Sequence, residues 1–406
     1  NNLLDFDDCY LYISHPGATI VPVAVSLGEK LGSTGQEMIN AVTLGYEISL
    51  RVCDAIRATH ERFEQVWGMA TWQIFGAVAV AAKLMKLNAD QVATAMGHAG
   101  MSAPVPFLRK AGLEMEDRPF SMLKNNFGWA SMGGVLAATL AAKGLQGNQN
   151  IFDGPKGFWV MAGSDQCDFE TLTKGLGKEY LMPMTGIKPY AACRWTQSTL
   201  GALEEITASN KVDATKVRSI SVKSMTPLCD NFGVYKPAHI IDTQFALPPL
   251  IALTLAGYSP AHGIAEDHIN DRLVQDLTNK VKIEVAPDAD RRFHELRQQI
   301  STVTIEMTDG KRYQNTRTGA KGEPDCPLTD DELERYARQI IVPGFGVQGQ
   351  ERLLAARVLV VGGARGVAGT RAALCAGRGG HAPSRGVSPP ARDRGICGAP
   401  DGPSRF

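Results

Sequence analysis

Three side chains that could transfer protons lie close together near the start of the sequence. The segment LDFDDCYLYISHPG (4–17) carries Asp5, Asp8 and His15 in one short loop that leads into an apolar helix. Removing a proton from a carbon next to a carboxylate needs a positioned base, and expelling hydroxide needs an acid. We predict that His15 acts as this acid or base and that Asp5 orients or charges it. The alternative is that Asp7 or Asp8 caps a helix and that His15 only shapes a turn.

The elements that must position this loop are mostly helices. Three segments over residues 1–185 place apolar residues at i, i+3, i+4 and i+7: MINAVTLGYEISLRVCDAI (38–56), WQIFGAVAVAAKLMKL (72–87) and SMGGVLAATLAAKGLQG (131–147). Many of these positions are Ala or Gly, which lets helices approach one another closely. Asn88 is predicted to cap a further helix, DQVATAMGHAG. The pattern predicts a large all-helical domain over residues 1–185.

Residues 186–320 have a different pattern, in which apolar and polar residues alternate with the period of a strand. The alternating segments are VRSISVKSM (217–225), KVKIEVAPD (280–288) and STVTIEMT (301–308). Asp309-Gly310 follows the last of them and predicts a hairpin, because glycine tolerates the positive φ of a tight turn. Helical segments lie between the strands. We predict a smaller α+β domain here, so the fold class of the whole chain is mainly α.

The end of the chain changes in character twice. Residues 321–362 contain a helical segment and then the apolar strand ARVLVVG. Residues 363–406 are dense in Gly, Arg, Ala and Pro and have no periodicity. A segment of this composition buries too little apolar area to offset the entropy of ordering, so we expect disorder in the tail.

Composition limits the classes of function. The formal net charge is zero, so no global field attracts nucleic acid or a membrane surface. The longest apolar runs, such as residues 77–85, are far shorter than the ~20 residues of a membrane span. The eight cysteines are dispersed with no CxxC pair, which argues against a zinc or iron–sulfur site and favours the cytoplasm. We predict a cytoplasmic protein that binds no nucleic acid, membrane, metal or cofactor.

Several segments, in order along the chain, resemble the MmgE/PrpD family. Residues 4–32 resemble its motif of Asp-Phe-Asp-Asp followed by His-Pro-Gly and an apolar helix. The other matching segments are GYEISLRVCDAI (45–56), FGAVAVAAKLMKL (75–87), KPYAACRWTQ (188–197), DTQFALPP (242–249) and KGEPDCPLTDDEL (321–333). The ordered series is more specific than any one segment, and it covers residues 4 to about 333.

The resemblance implies a fold, an assembly and a type of chemistry. The fold would be a large helical domain with an inserted α+β lid, and the assembly a homodimer. Activities in the family include dehydration of 2-methylcitrate, decarboxylation of cis-aconitate and epimerisation of iminodisuccinate, all without a metal. The family has several dozen residues before the first motif, so we expect that this chain lacks the first helices.

The resemblance also implies site residues. Asp5 and His15 match active-site positions, Lys188 matches a lysine that reaches the substrate's carboxylates, and Cys193 lies at the family's cysteine position, a histidine in cis-aconitate decarboxylases. Alternatives remain open for three residues. Lys188 would instead be an exposed linker lysine, and Cys193 a small core residue. Arg194 would lie on the surface instead of clamping a carboxylate with two hydrogen bonds. The predicted catalytic residues are Asp5, His15, Lys188 and Cys193. The predicted substrate-binding residues are Asp8, Lys124 and Arg194.

The chain departs from the family pattern at five positions. Three of these departures remove histidines, which are the side chains that titrate near neutral pH. The departures are Cys9 for threonine, Trp67 and Asn126 for histidines, Gln197 for histidine and Pro249 for tyrosine. They argue against 2-methylcitrate as the substrate and for another small carboxylate.

A second resemblance begins near the end of the first. ERYARQIIVPGFGVQGQERLLAARVLVVG (334–362) resembles the start of the ThiF/MoeB adenylyltransferases, in which a helix and a strand lead into a Gly-x-Gly-x-x-Gly nucleotide loop. Here the strand runs into GGARGVAGTRAAL, whose glycine spacing differs. We interpret residues 363–406 as a frameshifted tail that follows a fusion.

Three functions follow from these observations. The first is a cofactor-independent lyase or isomerase of a small di- or tricarboxylate, supported by Asp5, His15 and Lys188. The second is a catalytically inactive, truncated homologue, supported by the missing histidines. The third is an adenylyltransferase-like fusion, supported only by residues 334–362.

Overall fold

A computed structural model describes most of the chain. It covers residues 4–11, 13–66, 68–104, 115–120, 126–296 and 298–332. The predictions made for Trp67, Lys124 and the tail after residue 333 lie outside the described residues.

The first part of the described chain is dominated by helices. They are α1 Pro16–Leu31, α2 Gly35–Ala55, α3 His60–Gln65, α4 Met69–Leu84, α5 Ala89–Met101, α6 Phe127–Ala142 and α7 Phe158–Met161. Capping boxes start two of them, with Thr34 and Glu37 before α2 and with Asn88 and Gln91 before α5. The predicted helices and the Asn88 cap are confirmed.

Helix α4 lies at the centre of this part and packs against α1, α2, α5 and α6. Small residues allow the close approach. At Gly76 of α4, an added Cβ would lie 2.8 Å from the backbone oxygen of Gly45 in α2, so the two backbones touch. At Gly134 of α6, an added Cβ would lie 2.4 Å from the Cβ of Ala77. The predicted role of Ala and Gly in helix packing is therefore confirmed.

A two-stranded sheet corrects the prediction that residues 1–185 are all helical. Strand β1, Asp8–Tyr10, pairs antiparallel with β2, Thr185–Ile187, and Asp8 lies opposite Ile187. Each strand has only three residues, which is too short for a period-two pattern to be recognised in the sequence. Strand β2 also spans the position where the domain boundary was predicted, so a backbone ladder ties the first loop to the start of the second part.

The second part combines seven described helices with a four-stranded sheet. The helices are α8 Gln197–Ser209, α9 Thr226–Asn231, α10 Ile240–Thr243, α11 Leu247–Leu255, α12 Glu266–Ile269, α13 Arg272–Thr278 and α14 Ala289–His294. The strands are β3 Val217–Ser224, β4 Val281–Val285, β5 Ser301–Met307 and β6 Arg312–Arg317. The fold is thus mixed, with helices predominant and two sheets present.

The larger sheet has the order β4-β3-β5-β6. β3 pairs parallel with β4 and antiparallel with β5, and β6 returns antiparallel after the predicted hairpin, where Gly310 has a φ of 87°. Alternate residues of β5 are buried, including Val303 and Ile305, and α8 packs over β5 and β6. The predicted strands and hairpin are confirmed.

A short segment of the first part is held against the second. The guanidinium of Arg118 donates to Asp242 Oδ1 at 2.7 Å and to the backbone oxygens of Asn231 and Phe245 at 2.7 and 2.8 Å. The Phe120 ring stacks on Phe245 with centroids 3.9 Å apart. These contacts join residues more than 110 positions apart in the chain.

Within the described residues, no helix is long and apolar enough to cross a membrane.

Candidate active site

Helix α1 begins directly after His15, with Pro16 at its first turn, where a missing N–H costs nothing. The next amide, of Gly17, donates to both carboxylate oxygens of Asp8 at 3.0 and 3.1 Å. A Cβ at Gly17 would lie 2.6 Å from the Tyr46 hydroxyl oxygen and 2.8 Å from Asp8 Oδ1, so a larger residue would displace these two groups. The alternative interpretation, in which Asp8 caps a helix, therefore fits its carboxylate, which accepts from an amide in the first turn of α1.

The carboxyl group of Asp8 is buried, which disfavours its charged form. Burial of the carboxyl group raises its pKa to about 6, and the nearby charge of Asp7 acts in the same direction. Hydrogen bonds from Tyr46 and Gly17 oppose this shift without cancelling it. Although the residue as a whole is partly exposed, the carboxyl group itself faces the interior. Near neutral pH the protonated form of Asp8 is therefore appreciably populated.

Lys188 is brought to the loop by the β1–β2 ladder. It follows β2 directly, and its backbone N–H donates to the backbone oxygen of Asp7 at 3.1 Å. Its ammonium group lies 2.6 Å from Asp5 Oδ1 and 2.5 Å from Asp7 Oδ1, and its side chain is 1% exposed. Burial lowers the pKa of Lys188, but the carboxylates of Asp5 and Asp7 more than offset this and raise it. Lys188 is therefore a charged, buried lysine rather than an exposed linker residue.

The imidazole of His15 has a defined orientation. Its Nδ1 lies 2.6 Å from the backbone oxygen of Asp8 and 3.4 Å from Asp7 Oδ2. Since a carbonyl oxygen can only accept, Nδ1 carries a hydrogen, and in the neutral ring Nε2 holds the lone pair. The ring edge meets Phe127 at the start of α6, with centroids 6.0 Å apart. The arrangement leaves Nε2 as the nitrogen that would exchange a proton.

The structure brings Asp5, Asp8, His15 and Lys188 together, and the charge of Arg194 acts on Cys9 beside Asp8. The backbone N–H of Cys193 donates to the backbone oxygen of Gln244 at 2.9 Å. The Cys193 side chain packs against the hydrophobic core of the second part, which is formed by the larger sheet and its helices. Arg194 forms a buried ion pair with Glu323. Two predicted cations, Lys188 and Arg194, therefore already have carboxylate partners.

The departures from the family pattern have structural explanations at several positions. The side-chain amide of Gln197 donates to the backbone oxygens of Tyr190 and Ala192 at 3.0 and 2.9 Å. Its side-chain oxygen accepts from the Tyr190 N–H at 3.3 Å, so Gln197 holds the loop after Lys188 in place. Asn126 has a φ of 54°, a conformation that asparagine tolerates well. Burial raises the pKa of the Cys9 thiol to about 12, which leaves it protonated.

Sequence reasoning missed three groups of this site. Asp7 bridges Lys188 and His15, Tyr46 donates to Asp8, and Glu323 pairs with Arg194. The repeated aspartate of Asp-Phe-Asp-Asp was a signal for the first, but residue type alone did not show which carboxylate faces the imidazole. Among the described residues, no group of three His, Cys, Asp or Glu side chains is placed to hold a metal ion.

The fold is mainly helical, and it buries an aspartate–lysine–histidine cluster where the first loop meets the start of the second part. The chain belongs to the MmgE/PrpD family. Residues 2–170 match the MmgE/PrpD N-terminal domain and residues 190–359 match the MmgE/PrpD C-terminal domain. The resemblance stated from the motifs is confirmed.

Two curated relatives span most of the chain. Cis-aconitate decarboxylase from Homo sapiens is 22% identical in an alignment 352 residues long that covers 82% of this chain and 69% of that protein. Cis-aconitate decarboxylase from Mus musculus is 23% identical in an alignment 349 residues long that covers 82% of this chain and 68% of that protein.

A third similarity is short. Adenylyltransferase and sulfurtransferase uba4 from Aspergillus fumigatus is 43% identical over 83 residues, 20% of this chain and 14% of that protein. It agrees with the adenylyltransferase resemblance of residues 334–362, which lie outside the described residues.

Proposed function

We propose that this chain is a cofactor-independent lyase that moves a proton on a carbon next to a carboxylate of a small di- or tricarboxylate. The observation that carries the proposal is the buried cluster in which His15 Nδ1 faces a carbonyl oxygen while Lys188 lies between Asp5 and Asp7. Membership of the family and similarity to two cis-aconitate decarboxylases support the same chemistry. A homodimer in the cytoplasm stays a prediction.

His15 is the proposed acid–base residue, acting through Nε2. In a dehydration, neutral Nε2 takes the proton, the C–H electron pair forms the double bond, and hydroxide leaves with a proton from an acid. In a decarboxylation, CO₂ leaves, and the electron pair left on carbon takes a proton from the imidazolium. The two reactions start from opposite protonation states of His15.

Lys188 is proposed to supply positive charge that keeps Asp5 and Asp7 ionised and attracts the substrate's carboxylates into the site. Cys193 is proposed to take part in catalysis, and Asp8, Lys124 and Arg194 are proposed to bind the substrate. Because Lys188 and Arg194 already have carboxylate partners, a substrate carboxylate must share them or exchange for Asp5, Asp7 or Glu323.

The test is proton NMR in deuterated water with 2-methylcitrate, citrate, cis-aconitate and iminodisuccinate. We expect exchange or turnover of at least one compound, and a loss of 100-fold or more in His15→Ala, because general acid–base catalysis contributes ~10²–10⁴-fold. Turnover should rise with pH through the imidazole titration for dehydration or epimerisation, and fall for decarboxylation.

His262→Ala is the matched control, since His262 is an exposed histidine in the second part. It should retain the wild-type rate. Activity that survives in folded His15→Ala, or that is lost equally in His262→Ala, would contradict the role of His15.

An inactive homologue is the second candidate, and Gln197 favours it. Its amide braces a loop, and it cannot transfer protons near neutral pH as the histidine expected there could. A folded chain that neither turns over nor exchanges protons on any of the four compounds would establish this reading. Binding of ATP by the chain would instead support the adenylyltransferase-like fusion.

A further inference from the structure

Asp7 is the carboxylate that links Lys188 with His15. Its Oδ1 lies 2.5 Å from Lys188 Nζ, and its Oδ2 lies 3.4 Å from His15 Nδ1. Both neighbours are buried, with Lys188 2% and His15 4% exposed. The two oxygens of one side chain therefore face a permanent cation on one side and a titratable ring on the other.

The neighbouring aspartates are engaged elsewhere. Asp5 Oδ1 contacts Lys188 at 2.6 Å. The carboxylate of Asp8 accepts hydrogen bonds from Gly17 and Tyr46, and only the backbone oxygen of Asp8 meets the imidazole. The sequence had assigned the orienting role to Asp5, whereas the geometry favours Asp7 for it.

We propose that Asp7 is a positioning residue, which holds the imidazole of His15 and stabilises its cation while Nε2 carries the substrate's proton. This inference rests on the proposed function. Asp5, Asp7 and Lys188 together carry one negative charge when all are ionised, so a proton on His15 makes the group neutral. Transfer from carbon to Nε2 moves one proton and needs no oxidant or further reactant. In decarboxylation the same proton moves in the opposite direction.

Other groups also face the ring or its partners. Among the described residues they are Asp8 and Cys9 on β1, Tyr46 on α2, Lys188 after β2 and Arg194, whose charge acts on Cys9, and α6 contributes the Phe127 ring. Lys188 disfavours a charged imidazole, whereas Asp5 and an ionised Asp8 favour it. Removing the charge of Asp7 alone should therefore disfavour the imidazolium, because the charge of Lys188 is then less well compensated.

The experiment combines ¹⁵N NMR of His15 with kinetics in Asp7→Asn. We expect the midpoint of the imidazole titration to move to lower pH by about one unit, as loss of an adjacent opposite charge predicts. We expect kcat to fall about tenfold or more with a smaller change in KM, since a positioning residue acts mainly on the proton-transfer step. Asp7→Glu restores the charge and should recover most of both. Asp309→Asn, in an exposed hairpin, is the control.

The outcomes separate the two proposals. If the wild-type chain turns over no compound, the proposed function fails, while the titration still tests the link between Asp7 and His15. An unchanged midpoint and kcat in folded Asp7→Asn would overturn the inference. If that variant does not fold, the wild-type Asp7 ¹³C carboxyl resonance decides: it should titrate with the His15 midpoint, and independence of the two would overturn the inference.

Discussion

Asp8 gives the site a measurable effect on stability. Its folded-state pKa is raised from 3.8 to about 6, so its contribution is fully present below pH 3.8 and is lost as pH rises through about 6. Asp8→Asn keeps an acceptor for the Gly17 amide but cannot ionise. We predict that, relative to wild type, this variant gains up to about 3 kcal/mol in free energy of unfolding between pH 3.5 and pH 7.

Urea unfolding at the two pH values measures this difference. Asp309→Asn, at an exposed carboxyl whose pKa is lowered by hydrogen bonds from Lys311, should show no such gain. A constant difference between Asp8→Asn and wild type across this range would contradict the prediction.

At this scale the sequence predicted residue types better than contacts. Asp5, His15 and Lys188 were identified and do lie together. The sequence did not show how the three aspartates, Asp5, Asp7 and Asp8, divide their contacts among Lys188, His15 and Gly17. This division depends on the positive φ of Asp5, 48°, and on the direction of β1, and neither has a sequence signal in a three-residue strand.

Helix α6 offers a test of packing with its own internal control. A Cβ at Gly134 would lie 2.4 Å from Ala77 Cβ and 2.9 Å from the Ala77 and Val78 backbone, whereas one at Gly128 would meet no atom of the described residues within 4 Å. We predict that Gly134→Ala lowers the free energy of unfolding by about 1–3 kcal/mol, because α6 and α4 must separate. Gly128→Ala should raise it by up to about 1 kcal/mol through helix propensity.

Thermal or urea unfolding of both variants provides the measurement. If Gly134→Ala were as stable as Gly128→Ala, the close approach of α4 and α6 would be wrong.

Elements were predictable where their period was long enough to recognise. Helices α2, α4 and α5 and strands β3 to β6 follow from apolar spacing, caps and one Asp-Gly turn. The short ladder β1–β2 was missed, and it is the element that brings Lys188 to the loop. Its pairing depends on contacts across the chain, which local pattern does not contain.

For the whole molecule, the Arg118–Asp242 contact is the clearest link between the first and second parts. Burial raises the pKa of Asp242, but the amides of Phe120 and Ala238 and the guanidinium of Arg118 more than offset this and lower it. Arg118→Lys cannot reproduce three donations from one planar group. We predict a loss of about 2–4 kcal/mol in free energy of unfolding.

Arg291→Lys is the control, because Arg291 pairs with Asp288 on an exposed face and such pairs contribute little. Equal effects of the two substitutions on urea unfolding would show that the link does not hold the parts together. Sequence analysis did not predict this link, since nothing local connects Arg118 with a carboxylate 124 positions away.

The separation of Asp5 and Lys188 by 183 positions has a consequence for how the protein is made. A ribosome makes the loop that carries the three aspartates well before it makes Lys188. Until then, three aspartates have no ammonium group to accompany them, and they stay hydrated rather than buried. Closing so long a loop is entropically costly and slow compared with helix formation. The helices around α4 can therefore form before the ion pairs of Asp5 and Asp7 with Lys188 close.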